Sequence, residues 1–76
     1  MIFPTKYISP HQSLLGLGAI ILDHLRQPKT ITALWEKVRR VPENGIAFEH
    51  FVLSLDLLYA LNAIDYSDGL LRRIKP

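Results

Sequence analysis

Three runs of helical apolar periodicity, followed by two β-prone runs about an Asp-Gly pair, predict a mostly α fold with a small C-terminal β-hairpin. The order is helix, short strand, helix, turn, helix, hairpin. That is the order of a winged helix-turn-helix, with the second and third helices as the turn motif and the hairpin as the wing. The 76 residues form a single winged-helix domain, residues 1–76, in which residues 1–8 read as an extended N-terminal arm.

The arm carries Pro4 and no helical pattern, with Ile2, Phe3 and Tyr7 as anchors. Ser9, Pro10 and Gln12 then mark a helix start: a capping hydroxyl, a proline suited to the first helical position, and the partner of a capping box. The first helix should run to about Arg26, ahead of Pro28. Its apolar residues, from Leu14 to Leu25, cover most of the circumference, so burial on more than one side is expected. Gly16 and Gly18 each cost about 1 kcal/mol of helix propensity against alanine, and close approach of another backbone would explain them. Thr30 to Thr32 is a short β-branched stretch, read as a small strand, with Thr32 capping a second helix from about Ala33 to Arg40. Leu34, Trp35 and Val38 supply the inner face of that helix. Pro42, Asn44 and Gly45 form a turn. A third helix follows from about Ile46 to Leu61, with Asn62 as a left-handed terminator. Residues 63–66 and 70–74 flank Ser67-Asp68-Gly69, and Asp-Gly between β-prone runs is a strong short-range hairpin signal.

A chain of this size buries only about 60% of the surface that its unfolded form exposes. Its apolar fraction is 49%, high for a thin core, which points to apolar surface reserved for a partner. There are no cysteines, so disulfides and thiolate zinc sites are excluded, and a reducing cytoplasm fits. The run Leu14 to Leu22 is far short of the ~20 residues of a spanning helix, so no membrane segment is expected. His11, His24 and His50 make no metal-ligand spacing. No carboxylate pair, nucleophile elbow or phosphate loop is present. The chain therefore reads as non-enzymatic, without metal or cofactor.

The third helix decides between two kinds of partner. A DNA-reading helix should offer Arg, Lys, Asn or Gln to base edges and phosphates. This one offers Glu49, His50, Ser54 and Asp56. One stripe, roughly Phe48, Phe51, Val52, Leu55, Leu58 and Tyr59, suffices for an internal core. A second row, Leu53, Leu57 and Leu61, is left over at i, i+4, i+8 and suits a protein groove. With Leu17 and Ile21 of the first helix it forms the candidate protein-interaction surface, for a partner protein or for a second copy of the chain. Arg39 and Arg40 at the end of the second helix, and Arg72, Arg73 and Lys75 on the wing, are candidates for weak contact with a nucleic-acid backbone. The alternative for these cations is a solvated rim pairing with Glu36, Glu43 or Asp65.

Three segments, residues 13–19 (SLLGLGA), 34–39 (LWEKVR) and 55–64 (LDLLYALNAI), in this order and at this spacing, resemble a family of middle components of bacterial ABC-three-component systems. The resemblance spans about Pro4 to Arg73. Asn62 stands where a glycine would be expected, and both residues suit a helix terminator. The resemblance implies a role in defence against phage or plasmids, beside an ABC ATPase of the chromosome-maintenance type and a third, effector component. It implies an adaptor that connects the ATPase to the effector, and it carries over no catalytic residue. The alternative reading is a small winged-helix DNA-binding transcriptional regulator, which would use the wing cations.

Overall fold

The computed structural model describes residues 14–42 and 45–74. Three helices, α1 (Leu14–His24), α2 (Ile31–Val38) and α3 (Phe48–Ala60), precede a two-stranded antiparallel hairpin, β1 (Ile64–Ser67) and β2 (Leu70–Arg73). The fold is mostly α, as expected. The proposed arm, the helix start at Ser9, Pro10 and Gln12, and the residues Glu43, Asn44 and Lys75 lie outside the described residues.

α1 buries one side rather than several. Leu17, Gly18 and Ile21 are buried with Leu25, and Ile20 and Leu22 pack at the edge of the core, whereas Leu15 and Ala19 face solvent. Gly18 lies against α3, where a Cβ would come within 3.3 Å of Leu58 Cδ2. What approaches is therefore a side chain and not a backbone. α1 ends at His24, two residues before the expected stop, and the His24 ring donates from Nδ1 to the Ile20 carbonyl at 3.0 Å.

The expected strand at residues 30–32 contracts to one rung. Lys29 bridges Leu71 of β2, with N–H to carbonyl distances of 3.1 and 2.7 Å in the two directions. Thr30 then caps α2, its Oγ1 accepting from the Ala33 N–H at 3.1 Å. The helix thus starts two residues earlier than a Thr32 cap would allow. Both threonines carry a capping hydroxyl, and pairing of Lys29 with β2 fixes the extended backbone on the Thr30 side.

Asn62 terminates α3 with φ 60°. The Ala63 N–H reaches the Leu58 carbonyl at 2.8 Å and the Asn62 N–H reaches Tyr59 at 3.0 Å, the paired bonds of a Schellman ending. The hairpin turn is two residues long. Asp68 and Gly69 have φ of 55° and 78°, the positive pair of a type I′ turn, and Ser67 faces Leu70 across it. Leu71 bonds Lys29 on one side, so β2 is the middle of three extended segments. Arg73 Nη1 donates to the Leu22 carbonyl at 3.1 Å and ties the hairpin to the last turn of α1, where the same carbonyl accepts from the Leu25 N–H at 3.2 Å.

All these elements meet in one core: Leu17, Ile21, Leu25, Leu34, Val38, Phe51, Leu58, Ile64 and Leu71.

Candidate functional site

The core face of α3 is narrow. Phe51, Ser54 and Leu58 are buried on it, and Ser54 donates from Oγ to the Leu14 carbonyl at 3.2 Å. A hydroxyl and a glycine, Ser54 and Gly18, thus sit where the two helices meet, and small side chains allow helices to approach closely. This rotates α3 from the expected stripe. Of Phe48, Phe51, Val52, Leu55, Leu58 and Tyr59, only Phe51 and Leu58 are buried, and Leu55 is half-buried against the core. Phe48 and Tyr59 remain 53% and 61% exposed, and Val52 is 37% exposed.

These residues line a groove of about 310 Å³ between α3 and the hairpin. Phe48, Val52, Leu55, Asp56 and Tyr59 form its helical wall, Ile64, Tyr66 and Leu71 its strand wall, and Ile31 closes one end. Asp56 is the one charged residue among those lining it. Phe48 is held by aromatic contacts with Trp35, at 5.1 Å between ring centroids and edge-on, and with Phe51 at 5.9 Å. The groove therefore has a fixed rim at its Phe48 end. Its helical wall recurs at i, i+4, i+7 and i+11, the alternating four–three spacing of a coiled-coil seam.

The second row lies on the opposite flank of the buried stripe. Leu53 and Leu61 are 49% and 60% exposed, and Leu57 is half-buried. Leu17 and Ile21 belong elsewhere. Both are fully buried in the domain's own core, so they are not part of an exposed docking surface. Both are members of the core cluster shared by all the elements.

Four of the arginines have local partners. Arg39 and Arg40 both pair with Glu36, at 3.1 and 3.7 Å. Arg73 bonds the Leu22 carbonyl. Arg72 is half-buried and stands opposite Asp65 in the hairpin register. Arg26 pairs with Asp23 at 3.1 Å. Arg39 and Arg40 thus follow the end of α2, whereas Arg72 and Arg73 lie on β2. Among the described residues no group of three His, Cys, Asp or Glu is placed to hold a metal ion, and no described helix is long and apolar enough to cross a membrane.

The groove was missed by sequence reasoning because its helical wall reads as core. The available signal was the four–three spacing of Phe48, Val52, Leu55 and Tyr59, together with Ser54 on the neighbouring stripe.

No curated protein and no solved structure matches the chain. The family model described as ABC-three component (ABC-3C) system Middle Component 6 matches residues 3–74. That match covers nearly the whole chain and agrees with the resemblance carried by residues 13–19, 34–39 and 55–64, so the chain belongs to the Middle Component 6 family of ABC-three component systems.

Proposed function

We propose that the chain is a non-catalytic adaptor of winged helix-turn-helix architecture, which bridges the ABC ATPase and the effector of its three-component system in defence against phage or plasmids. The observation that carries this reading is the pair of exposed apolar flanks on α3. One flank is the groove wall of Phe48, Val52 and Tyr59, and the other is the row of Leu53 and Leu61. A bridging subunit needs two separate surfaces, and these lie on either side of one rigid, internally packed stripe. Contiguous exposed apolar surface marks interaction sites on soluble domains. Membership of a three-component family supplies the expected neighbours. The hairpin with its extra rung at Lys29 supports the winged-helix assignment.

The acidic polar positions of α3, Glu49 and Asp56, weigh against its use in a DNA groove. Arg39 and Arg40 share the one carboxylate of Glu36, which offsets part of their charge.

The test is co-expression of the full chain with the ATPase and the third component of its own system, followed by size-exclusion chromatography. A ternary complex is expected. Val52→Glu should release one neighbour and Leu61→Glu the other, with helical circular dichroism unchanged. A wild-type chain that elutes apart from both neighbours, or complexes indifferent to both variants, would overturn the adaptor reading.

A further inference from the structure

Resting on the adaptor reading, we infer that the groove between α3 and the hairpin is a receptor for one amphipathic helix of a partner protein, with basic residues a heptad apart beside its apolar seam. The spacing of Phe48, Val52, Leu55 and Tyr59 is that of a coiled-coil seam, and such a seam is complemented by a second helix with apolar side chains at the same alternation. The groove is large enough, at about 310 Å³, to accept a few anchor side chains from it. Its walls are apolar and partly pre-formed, since Trp35 and Phe51 hold Phe48 in place.

Charge selects the occupant. Glu49 and Asp56 are seven residues apart on α3, so they fall on the same edge of the seam. Both are exposed, and neither has an ion pair among the described residues. In a coiled coil the residues flanking the seam choose the partner through their charge. An acidic edge calls for Lys or Arg on the incoming helix, at the matching heptad spacing. It also disfavours a second copy of this chain, since two copies joined through this seam would bring acidic edges to an interface that offers no compensating cations on α3. A nucleic acid is disfavoured for the same reason. The groove is thereby a heterologous surface, and the row of Leu53 and Leu61, which does not line the groove, is left to the other contact.

The experiment uses fluorescently labelled synthetic helical peptides, four heptads long, with leucine at the seam positions and Lys, Gln or Glu at the flanking positions. Each is titrated with the full-length chain and followed by anisotropy. The Lys-flanked peptide should bind roughly tenfold more tightly than the Glu-flanked one, as two exposed charge pairs replace two like-charge contacts. The double variant Glu49→Lys, Asp56→Lys should invert that order, Val52→Glu should abolish binding of every peptide, and Leu61→Glu should leave it unchanged. Both substituted acidic positions are exposed, and circular dichroism of each variant verifies the fold. Equal binding of the Lys and Glu peptides, binding of none, or loss with Leu61→Glu would each overturn the inference. The co-expressed complex separates this failure from that of the adaptor reading. A ternary complex that survives Glu49→Lys, Asp56→Lys sinks the inference alone, whereas a wild-type chain that forms no complex sinks the adaptor.

Discussion

Gly18 and Ser54 set the rotation of α3, and through it which apolar residues face outward. At Gly18 a Cβ would meet Leu58 Cδ2 at 3.3 Å, a contact that a flexible side-chain end absorbs with a small shift. Gly18→Ala also gains about 1 kcal/mol of helix propensity, so it should leave stability near that of the wild type. Gly18→Val adds branched atoms on the buried side and should destabilise by about 1–3 kcal/mol through overpacking. Urea unfolding of the two variants checks this, and a valine variant as stable as the alanine one would show that α1 and α3 are not in close contact here. The sequence pointed to close packing at this glycine but expected a backbone there, and the neighbour is the Leu58 side chain. Ser54 was not legible as core, because a serine in a leucine-rich helix reads as surface. Its hydroxyl is satisfied by the Leu14 carbonyl at 3.2 Å, and that long-range bond lets it sit inside.

At the scale of elements, the terminators and turns were the most legible parts. Asn62 and Asp68-Gly69 act through local backbone conformation, which is encoded where it occurs. Gly69 has φ 78°, and a Cβ there would meet nothing within 4 Å, so Gly69→Ala should cost about 1 kcal/mol from backbone conformation alone. Denaturation should show that cost without any change in the exposure of the core, and a neutral substitution would contradict the tight turn. The start of α2 was less legible. Thr30 and Thr32 are both competent caps, and the choice depends on a rung between Lys29 and Leu71 that joins residues far apart in sequence. With Thr30 as the cap, Thr30→Ala should destabilise by about 1 kcal/mol, and Thr32→Ala, at an exposed helical position, should not. Equal effects in thermal unfolding would return the cap to Thr32. The groove was illegible for a related reason. Its helical wall is visible as periodicity, but whether that wall is core or cleft depends on where the hairpin comes to rest, and Arg73 bonding to Leu22 helps to fix it there.

For the whole molecule, the arrangement fits the connector role proposed for this small domain. One narrow stripe of α3, Phe51, Ser54 and Leu58, is enough to hold the helix in place. The flanks are then free to bind. The helix that would enter a DNA groove carries Glu49 and Asp56 and no Lys or Arg, so only backbone contacts from cations elsewhere are left. Duplex DNA should therefore bind weakly, without sequence preference and with steep loss as salt rises. Tight binding to one defined sequence at physiological salt would favour the regulator instead. The most direct test of the central claim, that α3 docks neighbouring proteins through its exposed apolar flanks, is hydrogen–deuterium exchange on the full chain with and without the purified ABC ATPase of its system. Exchange is predicted to slow over residues 48–61 while residues 36–41, which do not line the groove, remain unchanged. Protection confined to residues 36–41, or none over α3 in a complex shown to form, would contradict it.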